Sequence, residues 1–270
     1  MTMGRYLRYL HLAAITAAAL YLIVPIANAQ PAGRGRAGAV PRSPRQAAPI
    51  DLTGYWVSVI SEDWRWRMVT PAKDDFAGIP FTPEGRKVGD TWDPDKDQVS
   101  SDVCKAYGAA AIMRIPGRLH ITWQDDSTLK IETDTGQQTR LLHFGDKAPE
   151  GVQASRQGYS LAHWEAPERG IGTPRPGFGA TREGTQGRAL EAVTDRLLSG
   201  YLRKNGFPVS DNATVKEDFD LFTERSGQPW FVVTTIVEDP LYLQEPYVTS
   251  SNFKKQTGAT GWNPRPCSAR

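Results

Sequence analysis

Nine runs of alternating residues dominate the chain after residue 50: DLTGYWVSVI, RLHITWQ, TLKIETD, QTRLLHF, GYSLAHWEA, RALEAVTD, ATVKEDFDLFTE, PWFVVTTIVED and PYVTSSNFKK. Each is rich in β-branched and aromatic side chains, and a period of two puts one face of each run against a core. Turn signals separate them, among them Asp125-Asp126-Ser127, Asp134-Thr135-Gly136 and Arg225-Ser226-Gly227, which is the grammar of antiparallel hairpins. Helical signals are few. TPEGRKVGDTW begins with Thr82 as cap and Pro83 in the first turn, and DVCKAYGAAAIMR follows Asp102 as a cap. Strands do not alternate with long helices, so a parallel α/β sheet is excluded and a sandwich or closed barrel is left. Residues 51–270 are within the size of a single all-β domain.

The start of the chain obeys a different rule. Arg5 and Arg8 precede an apolar run that closes on Ala27-Asn28-Ala29, the pattern of a secretory signal peptide over residues 1–29. Residues 30–50, rich in Pro, Gly, Ala and Arg, hold too little apolar surface to offset their ordering entropy and read as a disordered tether. The expected location is therefore periplasmic or secreted, with no stable membrane insertion once the signal is cleaved. Cys104 and Cys267, the two cysteines of the chain, are expected to form a disulfide in such a compartment. The formal net charge of +2 and the absence of a dense basic stripe argue against a nucleic-acid partner. Nothing in the pattern sets an oligomeric state.

Between the first two runs, SEDWRWRMVT alternates tryptophan and arginine. Read as a strand, it turns Trp64, Trp66 and Met68 to one side and Arg65 and Arg67 to the other. With tryptophans facing a lumen and arginines facing water, the stretch reads as barrel wall.

Gly54-Tyr55-Trp56, at the head of the first run, resembles the entry motif of lipocalins, whose tryptophan closes the base of an up-and-down barrel. A longer resemblance covers residues 51 to 265. Cys104 before a hairpin, Trp164-Glu165, the turn from Gly206 to Ser210, Glu217 to Phe219, Asp239-Pro240, Tyr242 and Pro246 are similar to the pattern of exported lipocalin-like (calycin-type) bacterial proteins of unestablished activity. The resemblance implies an antiparallel up-and-down barrel with one or two short helices. It departs in the turn, where Phe207 and Val209 stand in place of histidines, so no role of those histidines transfers. Residues 167 to 187 read as an inserted surface loop.

Glu217 is the sharpest anomaly. It alternates with Val215, Phe219 and Leu221, which sets a carboxylate on an apolar face, where it must be paired or protonated. Arg203 and Arg140 are the candidate partners. His120, His143 and His163 each lie within a run and lack the spacing of a zinc site, so no metal and no cofactor is expected. No GxSxG turn and no phosphate loop is present in the sequence. Barrels of this size hold a small ligand in an aromatic pocket with a few polar groups. Trp56, Trp64, Trp66, Trp123, Trp164, Tyr201, Arg203 and Arg140 are the ligand-lining candidates, with Glu217 as a polar anchor.

Three functions compete. The leading one is a barrel that binds a small apolar or aromatic molecule. The second is an enzyme of isomerase or hydrolase type on the same barrel, with Glu217 and a histidine, His120 or His163, moving a proton. The third is a structural envelope protein with a packed interior. Interior geometry separates them, because function lives in the site rather than the fold.

Overall fold

The computed structural model describes residues 42–165 and 189–270. The expected signal peptide, the first part of the expected tether and the expected insert over 167–187 lie outside the described residues. In chain order the strands are β1 (Gly54–Val59), β2 (Arg118–Trp123), β3 (Thr128–Thr133), β4 (Thr139–Phe144), β5 (Tyr159–Trp164), β6 (Ala189–Asp195), β7 (Gly200–Tyr201), β8 (Pro208–Val209), β9 (Thr214–Thr223), β10 (Pro229–Glu238) and β11 (Tyr247–Gln256). The long ones close into a nine-stranded barrel in the order β1-β11-β10-β9-β6-β5-β4-β3-β2. These nine are the nine alternating runs of the sequence.

The barrel departs from a pure antiparallel meander at one seam. β4 and β5 pair parallel, Leu142 opposite Ser160 and Phe144 opposite Ala162. A parallel partner requires the chain to return to the starting end, and residues 145–158 make that return as a loop rather than a hairpin. Helices are also more numerous than expected: α1 (Pro44–Ala47), α2 (Trp64–Arg67), α3 (Pro83–Gly89) and α4 (Pro94–Val99) precede two 3-10 turns, Ser101–Tyr107 and Ile112–Arg114. The cap expected for α3 is present, since Thr82 Oγ1 accepts from Gly85 N at 3.0 Å. The helix expected over 103–114 is instead those two 3-10 turns, and its cap is Ser100, whose side chain accepts from Asp102 N.

The alternation of the strands works as read. Trp56, Leu119, Ile121, Leu129, Ile131, Leu142, Leu190, Phe219, Phe231, Val233 and Phe253 all point inward and are almost completely buried. Phe231 sits at the centre of the aromatic packing, 4.7 Å from Trp56 and 4.7 Å from Phe253 by ring centroid. These inward side chains belong to one packed cluster. Trp56 donates its indole N–H to Leu52 O at 2.8 Å, which fixes the chain as it enters β1.

Each end of the barrel has its own closure. At the end where β1 begins, Trp123, Phe144 and Trp164 pack against one another with their rings tilted, Phe144 and Trp164 5.0 Å apart. Trp164 Nε1 donates to Pro44 O at 2.9 Å, and Arg45 N donates to Asp126 O at 3.1 Å, so the segment just before β1 crosses this end. That segment is the last part of the stretch expected as tether. There α1 carries a reciprocal capping box between Ser43 and Gln46, and Ile50 is buried in the core. At the opposite end, residues 60–114 and 196–213 pack over the barrel, and Cys104 is bonded to Cys267 with Cα atoms 5.2 Å apart. The disulfide expected from the sequence is present.

SEDWRWRMVT is not barrel wall. Asp63 adopts the left-handed conformation at φ 52, and its carbonyl accepts from Trp66 N and Arg67 N, which closes one helical turn directly after β1. Arg65 is exposed and Trp66 half-buried, as expected, but the other three side chains change sides. Trp64 is 68% and Met68 59% exposed, whereas Arg67 is 7% exposed. Arg67 is tolerated inside because Nε donates to Arg114 O at 2.8 Å and the guanidinium pairs with Glu62.

Candidate functional site

Inside the barrel Glu217 is completely buried and held by Arg140 in a two-pronged pair, Nη1 to Oε1 at 2.9 Å and Nη2 to Oε2 at 2.6 Å. Alternation along β4 and β9 aims both side chains at the same interior level. Arg140 Nη2 also donates to Thr194 Oγ1 at 3.4 Å, and Thr194 shares a hydrogen bond of 2.7 Å with Ser160. Carboxylate and guanidinium thus compensate each other away from water. Arg203, the other candidate, belongs elsewhere: it donates to Ala77 O at 2.8 Å and to Tyr247 Oη at 3.2 Å, at the helix-covered end.

The histidines do not reach Glu217. His120 lies between inward Leu119 and Ile121, so its ring is outside, stacked on Tyr55 at 4.1 Å and 3.3 Å from Glu132. His163 is on the outer face of β5, 3.3 Å from Glu191. His143, also outward, stacks on Tyr159 at 4.5 Å, and burial lowers its pKa while Asp125 opposes the shift. A strand cannot put an outward ring beside an inward carboxylate, so a Glu217–histidine proton relay has no geometric basis. Near His163, Glu165, Glu191 and Asp218 bring three carboxylates within 4.8 Å on the outer face; Lys216 pairs with Glu191, and burial raises the Asp218 pKa while Lys216 opposes it.

The lining candidates divide. Trp56 is interior and packed; Trp123 and Trp164 plug one end; Trp64 is exposed; Trp66 donates to Asp75 Oδ2 at 3.0 Å and stacks under the Arg203 guanidinium at 4.9 Å. Trp66 and Arg203 border a small cavity, and Tyr201 a larger one. Tyr201 lines a cleft of about 280 Å³ outside the barrel, at the helix-covered end, together with Trp92, Asp97, Lys105, Pro208 and Tyr242.

The cleft is assembled from four separate stretches. α4, capped by Asp93, which accepts from Asp95 N and Lys96 N, brings Asp97 in from below. Tyr201 Oη donates to Asp97 Oδ2 at 2.7 Å; burial, then Asp97 itself, push the phenol pKa well above its ordinary value, so the phenol stays a donor. Lys105 Nζ pairs with Asp102 at 2.9 Å and lies 5.5 Å over the Tyr201 ring. Asp102, bonded by Lys105 and Arg156, has its pKa lowered. Gly206, at φ +81, passes so close to Trp92 that a Cβ there would collide with the indole. Trp92 itself is 9% exposed, and its indole N–H has no hydrogen-bond partner among the described residues. Below the cleft, Ser210 N and Oγ donate to Asp239 at 2.7 and 2.8 Å and tie the turn after β8 to the end of β10.

Sequence reasoning missed Trp92, Asp97 and Lys105. None lies in a periodic run, and the only local signal is the Asp93-Pro94 helix start that places Asp97. No protein-family model matches the chain, and no curated protein does. Among the described residues no helix is long and apolar enough to cross a membrane.

Proposed function

We propose that the chain is an exported lipocalin-like barrel that binds a small aromatic molecule, and that it does so in the cleft between α4, the β7–β8 hairpin and Tyr242 rather than in its lumen. One observation carries this reading: the cleft is lined by Trp92, whose buried indole N–H has no acceptor among the described residues. Leaving such a donor unpaired costs about 1–3 kcal/mol, which a ligand acceptor would recover. Trp92, Tyr201 and Tyr242 offer ring surface, and Lys96 and Lys105 offer positive charge, to the rest of the molecule. Gly206, Pro208 and Tyr242, on which the resemblance to exported lipocalin-like proteins partly rests, line this same cleft.

The test is calorimetric titration with small aromatic molecules that carry a carbonyl acceptor, on the parent chain and on Trp92→Phe. Affinity should fall about fivefold in the variant, the worth of one neutral hydrogen bond. Equal affinity in both would place the site elsewhere. A second reading, a structural envelope protein, is favoured by the packed cluster of inward side chains; it expects no small molecule to bind at all, and none to be carried along when the protein is purified from its source and weighed by native mass spectrometry.

A further inference from the structure

Three buried arginines converge on a second, smaller cavity, separated from the Trp92 cleft by the 200–206 turn. The cavity, of about 30 Å³, is lined by Trp66, Arg67, Arg114, Leu202, Arg203 and Lys204 among others. Arg67, Arg114 and Arg203 are 7%, 6% and 6% exposed. Each nevertheless has one buried nitrogen without a hydrogen-bond partner among the described residues: Arg67 Nη2, Arg114 Nη1 and Arg203 Nε.

The local charge does not balance. Arg67 pairs with Glu62, and Arg114 Nη2 with Asp63 Oδ2 at 2.8 Å. Arg203 has only neutral acceptors, Ala77 O and Tyr247 Oη, and Lys204, half-buried, takes part in no ion pair among the described residues. Four cations thus face two carboxylates. Asp75, the next acid, is engaged by Arg65 and Trp66. Burial lowers the Arg67 pKa, Glu62 opposes that shift and Arg114 adds to it, which fits two guanidiniums lying close together; burial also lowers the Lys204 pKa.

Guanidinium groups from three separate segments around one cavity suit an oxyanion, because planar forks match carboxylate and phosphate oxygens. A volume of about 30 Å³ compares with roughly 10–15 Å³ for one water, so two or three oxygens fit while their carrier remains outside. We infer that this pocket binds an oxyanion group, a carboxylate or a phosphate, through Arg67, Arg114, Arg203 and Lys204, as a site separate from the aromatic cleft.

Isothermal titration of the purified chain with sodium phosphate, and separately with sodium acetate, in an amine buffer tests it. One saturable site per chain is expected for at least one of the two anions, with sodium chloride at equal ionic strength giving none; which anion saturates identifies the group. Arg114→Met and Lys204→Met should each weaken binding about tenfold or more, the scale of one charge-assisted hydrogen bond. Arg114→Met removes the partner of Asp63 and can compromise folding, so Lys204→Met, at a half-buried position, carries the decision in that case. Failure of both anions to bind above the chloride control overturns the inference, as does binding that Lys204→Met leaves unchanged.

Discussion

Glu217→Ala is expected to destabilise the protein by about 3–5 kcal/mol, because it leaves the Arg140 guanidinium in the barrel interior with no counter-charge. For a domain of this size about 1 kcal/mol moves the midpoint by 2–4 °C, so thermal unfolding should begin roughly 10 °C lower. The double variant Arg140→Met/Glu217→Leu behaves differently. Removing both charges and replacing them by apolar side chains is commonly neutral or stabilising, so it should melt near the parent temperature or above it. A single variant that melts within a degree of the parent would mean that the pair is not desolvated. Glu217→Gln keeps the shape and one acceptor, and its cost should fall between the two.

Removal of the Cys104–Cys267 bridge is the second large effect. It closes a loop of 163 residues, and on the chain-entropy model its loss costs about 4–5 kcal/mol. Measured values run lower when the reduced chain retains structure, and here the tail keeps other ties: Arg265 N donates to Asp134 O at 2.7 Å and Ala269 N to Gln98 Oε1 at 3.0 Å. Chemical unfolding of Cys104→Ser/Cys267→Ser beside the parent, with no reductant present, measures it. An unfolding free energy within 1 kcal/mol of the parent would show that those ties alone hold the tail. The bridge also anchors the 3-10 turn that carries Lys105 and Ala106, so its loss should loosen the wall shared by the cleft and the arginine pocket.

Periodicity decides which parts of the molecule are legible in the sequence. Every barrel strand carries the period of two, and so all nine can be read, with the burial of Glu217 given by the same alternation. Arg140 is legible only as one of two candidate partners beside Arg203; the structure chooses it, on β4 beside inward Leu142. The outward histidines are equally decided by alternation, but only against a fixed register, and the register is set by pairings such as Leu119 with Thr133 that no single run contains. The parallel seam between β4 and β5 is hidden because a loop, unlike a two-residue hairpin, does not declare its direction.

α2 defeats the same reading for a related reason. Trp64-Arg65-Trp66-Arg67 alternates as well as any strand, and the residue that breaks it, Asp63 in the left-handed region, has no signature beyond a tolerance for that conformation. The cleft and the arginine pocket are hardly legible at all. Trp92, Asp97, Lys105, Tyr201 and Tyr242 come from short elements and loops set between or beside the periodic strands, and no pattern in the sequence links them. Arg67, Arg114 and Arg203 look like three solvated side chains until the fold buries them.

The eight indole N–H groups give the most direct test of the claim that ligand goes to the cleft and not to the lumen. Trp92 reports the cleft, Trp56, bonded to Leu52 O, reports the interior, and Trp164, bonded to Pro44 O, reports the far end. In a two-dimensional ¹H–¹⁵N spectrum recorded while a small aromatic carbonyl compound is titrated in, the Trp92 indole resonance should move downfield and saturate while those of Trp56 and Trp164 stay in place. Movement of the Trp56 resonance with Trp92 unchanged would contradict the account, and would return the ligand to the barrel interior.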